Sequence, residues 1–261
     1  MGFDNDPYDQ IAEFYDLEHD HLVDDVEMYL QFVESVGDPV LELACGTGRV
    51  AVPIAEAGFR VTGIDRSESM LDRARKRATR SSMSSTAEFK SADMVDAGSV
   101  SGGPFGLVIM ALGALSHLAT QELQLSALRS ARNALDPRGL LLVDVFHASP
   151  SRLQTLDGGV GMDGAWTLPD GTEIERFSTH SVHPASQTIQ ARIWYETIDS
   201  TRSVRRASTQ MTQRYVSPGE LRLMLDHAGF KESVLYGGYD LEPFEDTSDR
   251  LIVAAEATKT R

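Results

Sequence analysis

With 261 residues, 41% of them hydrophobic, the chain can build one large α/β core, and a single domain with an insertion is the simplest reading. A formal charge of −15 argues against nucleic acid as a partner, and one cysteine, Cys45, excludes an intrachain disulfide and the thiolate-rich zinc sites. No run of roughly 18 apolar residues occurs, and the acidic start MGFDNDPYDQ is unlike a secretory leader, so a soluble cytoplasmic protein with no membrane partner is expected.

In chain order, Tyr8, Ile11, Ala12 and Tyr15 recur at helical spacing and predict a short helix opening near Pro7, followed by a helix over about 24 to 36. His19, His21, Asp24 and Asp25 read as surface charge beside that helix start, and no metal is expected. Gly37, Asp38 and Pro39 break the chain; Val40 to Leu43 then reads as a strand, ACGTG as a tight turn, and VAVPIAEAG as a helix closed by Gly58. RVTGID gives a second strand ending on Asp65, and Ser67 can cap the helix carrying Met70 and Leu71. In that helix Arg73, Arg75, Lys76, Arg77 and Arg80 read as a solvated face, and the serine-rich stretch 80 to 86 as a loop.

Strands near 87 to 91 and 106 to 111, a helix from Thr120 to about Leu135, a turn at DPRG and a strand LLLVDVF continue the alternation. Such alternation predicts a parallel sheet buried on both faces. From 172 to 215 the period changes to two, as in Ile189, Ala191, Ile193 and Tyr195, which predicts antiparallel strands. Ser217, Pro218 and Glu220 fit cap, first helical position and capping-box partner; Gly229 ends that helix, and strands near 231 to 236 and 250 to 256 follow.

The small-residue turn after the first strand would let backbone N–H groups approach a ligand at the carboxyl edge of the sheet. Gly46, Gly48 and Ala51 satisfy G-x-G-x-x-A with Asp65 at a ribose-binding distance, which by itself leaves a nicotinamide dehydrogenase open. The wider pattern separates the two. VLELACGTGR at 40 to 49, VTGIDRSESML at 61 to 71, SADM at 91 to 94, FGLVIMALGALSHL and LDPRGLLLVDVF resemble the class I S-adenosylmethionine-dependent methyltransferases over nearly the whole chain. YDQIAEFYD and the β-rich insertion look like the branch holding the N,N-dimethyltransferases of nucleotide-linked amino sugars and glycine-type N-methyltransferases. The family's acid-x-Gly-x-Gly-x-Gly is here Glu42, Ala44, Gly46 and Gly48, so a methyl group tightens the turn at Ala44.

The resemblance implies a Rossmann-like, doubly wound α/β fold with a mostly parallel seven-stranded sheet. A β-rich antiparallel insertion, about 155 to 215, would sit between the fifth strand and the last helix, in one domain spanning 1 to 261 with an N-terminal helical lid at 1 to 36. It also implies that S-adenosylmethionine binds with Glu42 organising its amino end, the backbone from Ala44 through Cys45 to Gly46 against the cofactor, and Asp65 accepting both ribose hydroxyls. Asp93 would meet the adenine amino group, with Met70 and Met94 on the ring; Tyr8, Tyr15, Arg49, Arg66, Ala92, Ala111 and Leu112 complete the expected cofactor set.

Methyl transfer is an in-line displacement, so holding the reactants in register can supply on the order of 7 to 11 kcal/mol once water is excluded. Tyr8 and Tyr15 are the candidates to close the lid, and His117, with Tyr15 beside it, is the expected catalytic group, with His147 second. The acceptor is expected to be a small molecule, methylated on nitrogen or oxygen, in a pocket drawn from Tyr15, His117, His147, Trp166, His180, Trp194, Arg214 and Tyr215. Arg192, Arg205 and Arg206 read mainly as a solvated face, and the insertion could also serve a homodimer. The other reading is a non-catalytic sensor or scaffold that keeps the pocket; a dehydrogenase leaves SADM and LDPRG unexplained.

Overall fold

The computed structural model describes residues 6–83 and 85–257. A 3-10 turn at Pro7–Gln10 leads to α1 (Ala12–His19), α2 (Asp24–Val36), β1 (Val40–Leu43), α3 (Ala51–Glu56), β2 (Val61–Asp65), α4 (Glu68–Arg80), β3 (Ala87–Ser91) and β4 (Phe105–Met110). Then come α5 (Gln121–Ala134), β5 (Leu135–Phe146), α6 (Pro150–Leu156), β6 (Val160–Thr167), β7 (Glu173–His183), β8 (Thr188–Ile198), β9 (Val204–Arg214), α7 (Pro218–Ala228), β10 (Phe230–Tyr236) and β11 (Arg250–Ala257).

β1 is buried along its whole length because it lies mid-sheet, paired in parallel with β2 on one side and β4 on the other. The seven-stranded sheet runs β10-β11-β5-β4-β1-β2-β3, with β11 antiparallel to both its neighbours. One face packs on α5 and α7 through Leu128, Ala131, Leu221 and Leu225, and the other on α2 and α3 through Tyr29, Val33, Val52 and Ile54. The chain leaves β1 toward β2 on one side and β4 lies on the other, so a crevice opens at the carboxyl ends of these strands.

The insertion is a separate four-stranded antiparallel sheet, β6-β7-β8-β9. Its inner residues Ile174, Ala191, Ile193, Tyr195 and Met211 pack on Ile11 and Phe14, with the Phe14 and Tyr195 rings stacked at 4.3 Å.

The differences from the sequence reading have local causes. The stripe from Tyr8 to Tyr15 is not one helix: Asp6 caps the Tyr8 N–H at 3.0 Å in the 3-10 turn, and α1 starts only after Ile11. DPRG is an excursion within β5 rather than a turn before it, since Phe105 faces Leu135 while Leu107 faces Leu140. β strands begin at Val160, earlier than the alternation at 172 suggests, because β6 is a glycine-containing, largely exposed strand at the sheet edge; α6 buries no residue and so carries no apolar stripe. Ser217 caps α7 and Gly229 closes it in the left-handed region, but the Glu220 carboxylate turns to Arg214, Gln121 and Gln187 instead of completing a capping box.

Two electrostatic readings also change. Asp25 is 1% exposed and paired with Arg49, so it is not surface charge. Arg73 and Arg77 are not a free solvated face: both hold Asp16 of α1 at 2.8 Å, and Arg77 also takes Asp20 and the Thr47 carbonyl. These pairs tie the N-terminal helix to α4. Residue 84, within the serine-rich stretch, lies outside the described residues.

Candidate active site

At the carboxyl end of β1 the chain must reverse toward α3, and it does so through left-handed backbone at Ala44 (φ 55°), Gly46 (φ 54°) and Gly48 (φ 75°). Ala44 therefore holds a conformation that glycine adopts more readily. A Cβ on Gly48 would stand 3.2 Å from both Ala74 and Phe89, so that position serves close packing, whereas Gly46 has only the Tyr15 ring nearby, at 3.9 Å.

The next strand delivers the acid. Asp65 ends β2, and its two oxygens accept the Gly46 N–H at 2.9 Å and the Ser67 N–H at 2.8 Å. Burial raises its carboxyl to about 6 in spite of those two donors. Ser67 in turn caps α4 through Met70 N–H and donates to Asp9 at 2.6 Å, joining the β2 turn to the N-terminal segment. After β3, Asp93 accepts the Val95 N–H at 3.1 Å and pairs with Arg66 at 3.4 Å.

Gly46, Asp65, Arg66 and Asp93 line a cavity of about 290 Å³, together with Asp6, Pro7, Tyr8, Tyr15, Ala44, Met70, Ala92, Met94, Ala111 and Leu112. At its other end stand Ala114, His117, Leu118, Met211 and Thr212. His117 follows β4 in a short 3-10 turn; its Nε2 lies 3.2 Å from the Tyr8 hydroxyl and 3.5 Å from the Gln213 amide nitrogen. Burial depresses its imidazolium to about 4, so the ring is neutral near pH 7. Tyr15 stacks on His19 at 4.1 Å and meets Tyr8 edge-on, and burial holds both phenols well above their ordinary range.

The remaining expected residues stand off the cavity lining. Glu42 is 2% exposed, burial raises it to about 8, and its Oε2 has no hydrogen-bond partner among the described residues. Cys45 packs against Gly63, where a Cβ would come within 2.8 Å of its Sγ. Arg49 is taken up by Asp25, at 2.8 and 2.5 Å, and by the Leu22 carbonyl at 2.8 Å, so it ties the turn to α2.

The expected acceptor residues other than Tyr15 and His117 are likewise engaged elsewhere. His147 bonds the Ser248 carbonyl at 2.9 Å, Trp166 packs beside the insertion core, and Trp194 stacks on Phe177 under Arg206. His180 sits opposite Ala191 in the β7–β8 ladder. Arg214 is buried against Glu220, Gln124 and Gln187, and the buried Tyr215 binds Gln187 through its backbone. Of the other arginines, Arg205 pairs with Glu13 and Arg206 with Glu196. Asp6, Pro7, Ala114, Leu118, Met211 and Thr212 were not anticipated; Met211 and Thr212 sit in the alternating pattern of β9, which marks their strand but not their closeness to His117.

Residues 40–139 match the family model described as a methyltransferase domain. Over the whole chain, CcbJ methyltransferase from Streptomyces caelestis shares the fold with a TM-score of 0.77 and 28% identity, covering 97% of this chain and 98% of that one. The chain therefore carries the domain of an S-adenosylmethionine-dependent methyltransferase. The cypemycin N-terminal methyltransferase of Streptomyces is 27% identical over 221 residues, 84% of this chain and 83% of that protein. YqeM of Bacillus subtilis, named a methyltransferase, is 38% identical over 112 residues, a match that spans only 42% of its length.

The methyltransferase cavity suits the family's cofactor, S-adenosylmethionine, on its own chemistry. An acid at each of two strand ends offers acceptors, the buried carboxyl group of Glu42 with its orphan oxygen lies under the turn, and Asp6, Asp65 and Asp93 line the cavity with one guanidinium, Arg66, a balance suited to a cationic sulfonium. Among the described residues no cluster of three or more His, Cys, Asp or Glu side chains could hold a metal ion, and no helix is long and apolar enough to cross a membrane.

Proposed function

We propose that this methyltransferase transfers a methyl group to a nitrogen of a small-molecule acceptor, which lies at the His117 end of the cavity. The observation that carries the reading is the polarity of one continuous cavity, with Asp65 and Asp93 at one end and the uncharged group Tyr8, His117, Met211 and Thr212 at the other. When bound, the sulfonium supplies an electrophilic methyl and leaves as a thioether.

Asp65 would hold the ribose hydroxyls, Asp93 the adenine amino group with Met70 and Met94 against the ring, and Glu42 the amino end through its free oxygen. Pro7, Tyr8 and Tyr15 roof the cavity and keep water out. A ring whose imidazolium titrates near 4 is too weak a base to ionise an alcohol, but neutral His117 can accept a hydrogen bond and orient an amine that arrives unprotonated. That favours nitrogen over oxygen, and the name of the cypemycin relative agrees with it.

The test is to follow S-adenosylhomocysteine formation with panels of primary and secondary amines and of alcohols. Turnover restricted to amines is expected; turnover on alcohols alone would overturn the nitrogen assignment. His117→Asn is expected to lower turnover roughly 10- to 100-fold while S-adenosylhomocysteine affinity stays within about twofold. Undiminished turnover in that variant would make His117 a packing residue.

A further inference from the structure

The wall of the cavity beyond β4 is held in an unusual way. Leu112, one of its lining residues, has a φ of 45°, a region that side chains other than glycine rarely adopt, and Gly113 follows at 81°. Both of their amides are taken by one residue that does not itself line the cavity: the Leu112 N–H donates to Asp144 Oδ2 at 3.1 Å and the Gly113 N–H to the Asp144 carbonyl at 2.7 Å.

Asp144 is fully buried in β5 and is fixed from three directions. Arg250 at the start of β11 grips Oδ1 through Nε at 2.8 Å and Nη2 at 2.5 Å. Tyr29 of α2 and Tyr239 of the β10–β11 connection donate to Oδ2 at 3.4 and 3.3 Å, and the Arg250 guanidinium lies 5.8 Å over the Tyr239 ring. A carboxylate with this many donors cannot shift without breaking several bonds together.

We infer that Asp144 is a positioning residue of the cofactor site, clamping both amides of the turn after β4 so that Ala111 and Leu112 present the cavity wall. The inference rests on the cofactor reading above. Asp144 lies in LLLVDVF, where the sequence shows only a strand, and its partners come from three separate elements.

The experiment is calorimetry with S-adenosylhomocysteine on Asp144→Asn, Leu112→Gly and the double variant, with amide exchange at residues 112 and 113. Asp144→Asn is expected to bind at least about tenfold more weakly and to exchange faster at the Leu112 amide, with a smaller change at Gly113, whose partner is the main-chain carbonyl of residue 144. In the Leu112→Gly background the same change should cost less than about threefold, because glycine holds the left-handed conformation without a clamp. Tyr29→Phe, which removes one bond but leaves the Leu112 amide engaged, should stay within about twofold of wild type. Wild-type affinity in Asp144→Asn, or an equal loss in both backgrounds, would overturn the inference. Should Asp144→Asn not fold, Arg250→Lys answers the same question: a loss of affinity that shrinks in the Leu112→Gly background supports the clamp, and a background-independent effect refutes it. Failure of the wild-type protein to bind S-adenosylhomocysteine would count against the cofactor reading instead, while exchange at the two amides would still decide the clamp.

Discussion

Asp65→Ala is expected to weaken S-adenosylhomocysteine binding by roughly 2 to 4 kcal/mol near neutral pH, as measured by calorimetry. The magnitude follows from what the carboxylate is asked to do. Its two oxygens each take one backbone N–H, from Gly46 and Ser67, and the group still lines the cavity, so it has acceptor capacity left for two ribose hydroxyls. Losing two hydrogen bonds to a charged group costs more than losing two neutral ones. A pH dependence belongs to the same residue. Burial raises its carboxyl to about 6, and the protonated form is the poorer acceptor, so affinity should fall as the pH drops from about 7 through 6, separately from any change that Glu42, raised to about 8, brings at higher pH. Asp65→Ala should be flat through that window, whereas His117→Asn should keep the acid limb because His117 titrates lower, near 4. Unchanged affinity in Asp65→Ala would refute the ribose role.

What could be read in advance follows the distance over which each signal acts. The β1 turn and the end of β2 were legible because strand, small-residue turn and acid lie in one contiguous stretch, and the expected strand 40–43 and helix 24–36 match β1 and α2. Periodicity reports that a face is covered but not by what. The basic stripe on α4 looked like a solvated face, yet Arg77 and Asp16 meet across 61 residues of sequence. Arg49 looked available to a ligand until Asp25, 24 residues earlier, neutralised it. The same limit explains the acceptor end: His117 meets Tyr8 across 109 residues and Gln213 across 96, and no local pattern announces either contact. Aromatic and basic residues of the insertion were chosen for their chemistry, and most of them are committed to structural contacts, as Trp194 is to Phe177 within the insertion and Arg214 to Glu220 of α7.

Removal of residues 1 to 18 is expected to lower turnover by at least about 100-fold and to open the insertion to protease. The N-terminal segment does two jobs at once. Tyr8 and Tyr15 line the cavity, while Ile11 and the 3% exposed Phe14 cover the inner face of the β7–β9 sheet. Each large apolar side chain uncovered forfeits about 1.5 to 3 kcal/mol, and here the loss falls on both surfaces, since Ile193, Tyr195 and Met211 are exposed together with the cavity. Thr209 would also lose its bond to the Pro7 carbonyl, and Met211 and Thr212 lie two and three residues further along the same strand. The seven-stranded sheet draws its two cores from other elements and should remain folded, so cleavage is expected within 157 to 215 and not in the strands around β1. Asp16→Ala separates the two jobs: it loosens the segment from Arg73 and Arg77 while leaving Phe14 in place. Because those ion pairs are partly exposed, its effect on turnover should be smaller and should vanish at high salt. Full activity in the truncated chain would eliminate the lid, and protection of the insertion in that chain would show that its inner face finds another cover.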